Sequence, residues 1–203
     1  MPNVRQSLRL LCLAVLLLAA AGCYMPDRFQ AGMQIRNDGR FAFSYEGQLT
    51  ALYLLQRLGR GDFDDDPEEF RRYVAIYERD LRRDSGFEEV SHLRQATFRT
   101  RYAHNGNLRR DRTFNFVRFN SRFFGVKSFE DGRVEISGDR LNRAYMDELI
   151  RGGFDTRGVF RLWTDAKVLE HNADAVEGTG LVMYTWNIQT MRDKLPRVVM
   201  ALR

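Results

Sequence analysis

The fold is restricted most strongly by a series of short apolar segments separated by glycine-containing turns, which fills most of the second half of the chain. The segments typical of β-strands are residues 87–102, 113–119, 123–129, 133–136, 159–164, 181–188 and 197–202. Two of the connecting stretches read Asn105-Gly106-Asn107 and Glu130-Asp131-Gly132. Short turns of this kind join neighbouring strands in opposite directions, so the pattern predicts a mainly antiparallel sheet.

A further hairpin is predicted near the beginning of the chain. Residues 33–35 and 41–45 are rich in apolar side chains and flank Asn37-Asp38-Gly39, where Asn37 and Gly39 can adopt positive φ. Residues 181–188 carry apolar side chains on both faces, which predicts a central strand.

Three segments show apolar residues at helical spacing and end at or near glycine. Their apolar stripes are Leu49, Leu52, Leu55 and Leu58, then Phe70, Tyr73, Val74, Tyr77 and Leu81, then Leu141, Tyr145, Met146, Leu149 and Ile150. Strands joined by short turns and interrupted by two or three helices predict an α+β fold. We expect a curved, mainly antiparallel sheet with the helices packed on one face.

The acidic segment at residues 61–69 has two interpretations. Asp62, Asp64 and Asp66 alternate as in the first half of a calcium loop, but Pro67 stands where such a loop needs glycine. The alternative is that Asp66 caps the second helix, because proline is favoured at the first helical position and Glu68 and Glu69 complement the helix dipole. The second interpretation accounts for more of the residues, and no metal site is predicted.

The chain begins as secreted proteins do. Arg5 and Arg9 precede an apolar run at residues 10–21, and Gly22-Cys23 follows without any acidic residue. The run is about a dozen residues, short of the roughly 20 that a membrane-spanning helix requires. Residues 20–23, Ala-Ala-Gly-Cys, resemble the lipobox of bacterial lipoproteins. An ordinary cleaved signal peptide is the alternative.

The lipobox resemblance implies cleavage before Cys23 and acylation of its sulfur. Cys12 would be removed with the signal, so Cys23 would be the single cysteine of the mature protein. We therefore expect a signal peptide at residues 1–22, a lipidated tether at 23–32, and one α+β domain at 33–203, attached to a membrane through Cys23. Tyr24 after the cysteine implies outer-membrane sorting, facing the periplasm, if the cell is Gram-negative.

One segment combines arginine and aromatic residues at high density. Residues 94–124 contain eight arginines, seven aromatic residues and one acid, Asp111. Such a combination binds phosphate groups through guanidinium forks and apolar groups through the rings. The candidate ligand-binding residues are Arg99, Arg101, Arg118, Tyr102, Phe114 and Phe116. The expected ligand is an anionic lipid or another envelope component, and the alternative is a solvated face of a sheet. An envelope location argues against nucleic acid.

Composition and motifs argue against catalysis. Without residues 1–22 the chain has 30 basic and 27 acidic residues, a mildly basic balance of +3. It contains no G-x-S-x-G elbow and no glycine-rich phosphate loop, and its three histidines, His92, His104 and His171, lack metal-binding spacing. No cofactor and no catalytic residue is predicted. Two other classes stay open: an assembly subunit that binds an envelope protein, and a hydrolase in which His104 and His171 meet a carboxylate.

A second resemblance involves both ends of the mature chain. An apolar-Asn-Asp-Gly hairpin soon after Cys23, the pair Asn172-Ala173, and Tyr184-x-Trp186-x-Ile188 before a final apolar strand resemble the LppM-type lipoprotein domain. This resemblance implies an α+β domain that binds lipid, and it assigns no site residue.

Overall fold

The computed structural model describes residues 24–117 and 124–203, which form four helices and twelve strands. The strands are β1 (Tyr24–Ile35), β2 (Arg40–Ala51), β3 (Phe87–Arg94), β4 (Thr97–Asn107), β5 (Thr113–Phe116), β6 (Phe124–Ser128), β7 (Arg133–Ser137), β8 (Gly158–Thr164), β9 (Lys167–His171), β10 (Ala175–Glu177), β11 (Val182–Ile188) and β12 (Val198–Ala201). The helices are α1 (Leu52–Gly59), α2 (Pro67–Leu81), α3 (Leu108–Asp111) and α4 (Arg143–Arg151). The α+β prediction is confirmed.

The larger sheet has seven strands in the order β10-β11-β8-β1-β2-β4-β3. All neighbours are antiparallel except β1 and β8, which run parallel. The hairpin predicted around Asn37-Asp38-Gly39 joins β1 to β2, and Gly39 has a φ of +90° there. The pairing of β1 with β8 was not predicted, because residues 36–157 separate the two strands and no local signal connects them.

A second sheet covers part of one face of the larger sheet, which we call its inner face. This corrects the expectation of a single sheet. Its five strands, in the order β5-β6-β7-β12-β9, are all antiparallel. The ring of Phe43 on β2 lies 5.1 Å from Phe114 and Phe116, and 5.3 Å from Phe124. The apolar face of each sheet therefore becomes buried against the other, as in a β-sandwich.

The helices lie on the inner face of the larger sheet, beside the second sheet, and their packing on one face agrees with the expectation. Tyr77 of α2 stacks on Phe98 of β4 at 6.4 Å and meets Tyr24 of β1 edge to face at 6.2 Å. The cap prediction for α2 is confirmed, since Asp66 accepts a hydrogen bond from the backbone N–H of Glu69 at 2.8 Å.

The predicted tether is wrong for residues 24–32, because this segment forms most of β1. Tyr24, Met25, Phe29 and Ala31 are buried, and the strand pairs with β2 from its first residue, Tyr24. The apolar residues of this stretch contribute to the core, so residues 24–32 are part of the folded domain.

Two other expectations need correction, and two strands were not predicted. Residues 105–107 continue β4 instead of turning, because they pair with Arg40, Phe41 and Ala42 of β2. Strand β11 is second from the edge of its sheet rather than central. Strands β9 and β10 were missed, because their residues are mostly polar or exposed.

Residues 1–22, Cys23 and Arg118 lie outside the described residues. Within residues 24–117 and 124–203, no helix has the length and apolar character needed to cross a bilayer.

Candidate functional site

The predicted ligand residues of β4 point to opposite faces of the larger sheet. Arg99 and Arg101 are exposed on its outer face, whereas Tyr102 is 3% exposed on the inner face. This division follows from the twofold alternation of side chains along a strand. Arg101 forms an ion pair with Glu88 at 3.0 Å, whereas the side chain of Arg99 has no ion-pair partner among the described residues.

The two predicted phenylalanines belong to the core between the sheets. Phe114 is 7% exposed and Phe116 is 1% exposed. Phe116 packs at 4.6 Å from the ring of Tyr45 and at 5.0 Å from that of Tyr102. Phe114 and Phe116 therefore lie in the core, apart from the exposed side chains of Arg99 and Arg101, and these four described residues do not line one pocket.

The histidines of the hydrolase alternative do not converge. His104 on β4 stacks on Phe114 at 5.4 Å, and His171 on β9 meets Tyr184 at 5.0 Å. No hydrogen bond or ring contact joins them in the part of the chain that the structure describes. In that part, no three His, Cys, Asp or Glu side chains are grouped as metal ligands.

The largest cavity among the described pockets lies between α1 and α4. It has a volume of about 510 Å³, within the range of small-molecule sites. Five of its lining residues carry apolar or aromatic side chains: Leu55, Leu58, Tyr145, Leu149 and Phe154. Both helices present apolar stripes here, and Asn142 fixes the start of α4 by accepting from the N–H of Tyr145 at 2.9 Å.

A smaller cavity of about 60 Å³ lies along the same two helices. Leu52 and Met146 line it, and they stand one turn before Leu55 and Leu149 of the larger cavity. Tyr24, the first residue of β1, also lines it, and burial raises the pKa of the Tyr24 hydroxyl above its usual range. We call the two cavities together the helix seam.

Polar side chains line the larger cavity in addition to its apolar wall. They are Gln56, Arg60, Gln95 and Glu148. Arg60 is exposed, and its side chain has no ion pair or hydrogen bond within residues 24–117 and 124–203. Glu148 is also exposed and has no ion pair among the described residues. An apolar wall with a cation and an anion beside it suits a molecule that has a long apolar part and a polar head.

The sequence pattern indicated the two helices but not the space between them. Their apolar stripes were interpreted as core contacts, and this is correct for Leu52, Leu55 and Leu149. A cavity depends on how far two helices stand apart, and neither stripe carries that information.

Comparison with known proteins leaves the family of the chain open. No protein-family model matches the sequence, and no curated protein matches it. Among solved structures, the NMR structure of the folded domain of Mycobacterium tuberculosis LppM aligns with a TM-score of 0.45 and 12% sequence identity. The alignment covers 89% of this chain and 91% of that domain.

Proposed function

We propose that this protein is a lipid-anchored lipoprotein of the cell envelope whose domain binds an amphiphile in the helix seam without catalysis. The observation that carries the proposal is the cavity of about 510 Å³ between α1 and α4, with its five apolar or aromatic lining residues. Burial of an acyl chain there is favourable by about 0.8 kcal/mol for each methylene group.

The position of the anchor supports this proposal. Cys23 is bonded directly to Tyr24, which begins β1 and lines the smaller cavity. Consecutive Cα atoms are about 3.8 Å apart, so the acylated cysteine would hold the helix seam close to the membrane surface. A thioether-linked diacylglycerol with an amide-linked chain anchors a protein stably, since a single acyl chain does not.

The side chain of Arg60 supports the proposal that the ligand has an anionic head group. A guanidinium forms short, charge-assisted hydrogen bonds with phosphate, and Arg60 has no competing ion pair among the described residues. The arginines predicted from the sequence, Arg99 and Arg101, are not lining residues of either seam cavity.

The first test identifies the ligand. Native mass spectrometry of the full-length protein, extracted in detergent from a cell envelope fraction, should show one non-covalently bound amphiphile that survives desalting and can be identified. A protein that carries only its covalent acyl groups would count against binding in the helix seam.

Leu58→Trp should weaken this binding, because the larger indole would occupy part of the cavity that Leu58 lines. The matched control is Ile76→Trp, which places the same side chain on α2 at a position that is 46% exposed. Fluorescence titration with cis-parinaric acid should show saturable binding for the control and a lower affinity for Leu58→Trp. Arg60→Gln should weaken binding of phosphatidylglycerol while leaving phosphatidylcholine unchanged. Equal binding by all three variants would refute the assignment of the ligand to the helix seam.

Cys23→Ser tests the anchor itself. Serine cannot form the thioether, so the variant should leave the membrane fraction and retain an unprocessed signal peptide. Fractionation with immunoblotting measures both. A variant that stays in the membrane with unchanged processing would contradict lipidation at Cys23.

A specific observation favours an assembly subunit as the second candidate. Leu169 on β9 is 51% exposed and Val176 on β10 is 47% exposed, and both strands lie at sheet edges. Exposed apolar residues at an unpaired edge suit a protein partner. Photo-crosslinking from position 169 in cells should capture one defined envelope protein if this candidate is correct, and none if it is not.

A further inference from the structure

The outer face of the larger sheet contains a cavity that shares no lining residue with the helix seam. It has a volume of about 330 Å³ and lies across β1, β2, β4 and β8. We call it the sheet groove and define it by Gly32, Ser44, Glu46, Arg101, Arg161 and Trp163. The sheet groove goes beyond the proposed function, because an amphiphile bound in the helix seam would not contact its lining residues.

Trp163 lies against the floor of the sheet groove at a glycine. A Cβ atom added to Gly32 would stand 3.1 Å from the six-membered ring of Trp163 and 3.3 Å from the hydroxyl oxygen of Ser44. The absence of a side chain at residue 32 therefore lets the indole lie close to β1. Trp163 is half-buried and lines the cavity, so a flat aromatic surface is available to a ligand.

The charged side chains of the sheet groove cancel one another. The described residues that line it include two arginines, Arg101 and Arg161, and two glutamates, Glu46 and Glu88. Arg101 and Glu88 already pair at 3.0 Å. An anionic phosphate would therefore gain little from the net field, and the groove differs in this respect from a phosphate site.

Two of these groups have unused hydrogen-bonding capacity. Arg161 is half-buried, and within residues 24–117 and 124–203 its side chain has neither an ion pair nor a hydrogen bond. The carboxylate of Glu46 is exposed and likewise has no ion pair there. The hydroxyl of Ser44 can both donate and accept. A ligand here would meet donors and acceptors in comparable number.

We propose that the sheet groove binds a neutral oligosaccharide. A pyranose ring presents weakly positive C–H groups on one face, which suit the negative face of the Trp163 indole. Its hydroxyl groups need donors and acceptors at once, and Arg161, Glu46 and Ser44 supply both. Uncharged sugar also fits a groove whose charges cancel, whereas an anionic lipid does not.

The two tryptophans of the chain make a direct test possible. Trp186 is fully buried, and its Nε1–H donates to Asn172 at 2.8 Å, so a ligand on the outer face should not affect it. The full-length protein, labelled with 5-fluorotryptophan and purified in lauryldimethylamine oxide, should give two ¹⁹F resonances. Trp163→Phe identifies the resonance of Trp163 by removing it.

Chitohexaose, maltohexaose and mannohexaose are titrated in turn. At least one should shift the Trp163 resonance saturably while leaving that of Trp186 in place. Arg161→Gln should lower the affinity about tenfold or more, as removal of a central contact usually does. Arg99→Gln is the control, because Arg99 lies on the same face of β4 but outside the lining of the groove. An unmoved Trp186 resonance shows that each variant is folded.

Three outcomes would overturn the proposal. The first is that no oligosaccharide shifts the Trp163 resonance at 10 millimolar, a concentration of the order that weak sites require. The second is an equal loss of affinity in Arg161→Gln and Arg99→Gln. The third is a response to phosphatidylglycerol micelles alone, which would assign the sheet groove to a lipid head group.

Discussion

Asp66 determines where α2 begins, and its carboxylate has a clear energetic role. The backbone N–H of Glu69 donates to it at 2.8 Å, and Arg72 lies 3.2 Å away. The hydrogen bond from Glu69 lowers the pKa of Asp66 below its usual value of 3.8, and the nearby charge of Arg72 acts in the same direction. A lowered pKa in the folded state means that the ionised form stabilises the fold.

Asp66→Ala should therefore lower the melting temperature by about 2–4 °C at pH 7, as loss of a helix cap does in a protein of this size. The difference in melting temperature between Asp66→Ala and the wild type should be fully present above the usual pKa of 3.8. It should vanish as the pH falls through the lowered pKa that Asp66 has in the folded state. Differential scanning calorimetry from pH 2 to pH 7 measures both effects.

The adjacent residue provides the control for that experiment. Asp65 is exposed, and its side chain makes no hydrogen bond or ion pair in the described part of the chain. Asp65→Ala should leave the melting temperature unchanged at every pH. A similar loss in both variants would show that general acidity of the segment, and not the cap, stabilises α2.

Sequence reasoning was most accurate for single side chains of this kind. The cap at Asp66 depends on residues within four positions, so the sequence displays all of its parts. The opposite orientations of Arg101 and Tyr102 have an equally local cause, because side chains alternate between the two faces of a strand. What could not be predicted is that the face bearing Tyr102 would be closed off by Phe116, since the two residues belong to different sheets.

Among the secondary-structure elements, β1 depends on a close approach that only glycine allows. The register between β1 and β2 shifts between Asp27 and Gln30, and Phe29 lies in this bulge. A Cβ atom at Gly47 of β2 would stand 2.5 Å from the Cβ of Phe29, and one at Gly158 of β8 would stand 2.5 Å from its carbonyl oxygen. Phe29 is thus held between two glycines.

Gly47→Ala should destabilise the protein by about 1–3 kcal/mol, because the added methyl group overpacks a site bounded by the backbone of Phe29. Gly59→Ala is the matched substitution, since a Cβ atom at the end of α1 would meet nothing within 4 Å. That variant should be neutral or more stable by up to about 1 kcal/mol. Urea unfolding measures both. Equal effects would mean that glycine content, rather than the contact with Phe29, determines the result.

For the molecule as a whole, the position of its first strand decides where the domain can be cut. Residues 24–32 supply Tyr24, Met25 and Phe29 to the core, and β1 pairs with both β2 and β8. Removal of large buried side chains costs about 2–5 kcal/mol each. Their combined loss is comparable with the whole stability of an ordinary domain, which is about 5–15 kcal/mol.

A chain of residues 24–203 should therefore unfold in one cooperative transition, whereas a chain of residues 33–203 should show none. Circular dichroism on heating distinguishes the two. If the shorter chain melts cooperatively within a few degrees of the longer one, residues 24–32 are a tether after all, and the helix seam loses its connection with the anchor.

Taken alone, the sequence determined the α+β class, the hairpin at Gly39 and the capped helix α2. Each of these depends on side chains a few positions apart, whose spacing is printed in the chain. Only the tertiary structure decided that there are two sheets, that β1 and β8 run side by side, and that α1 and α4 leave a cavity between them. These features depend on how distant segments fill a common volume, which no local pattern records.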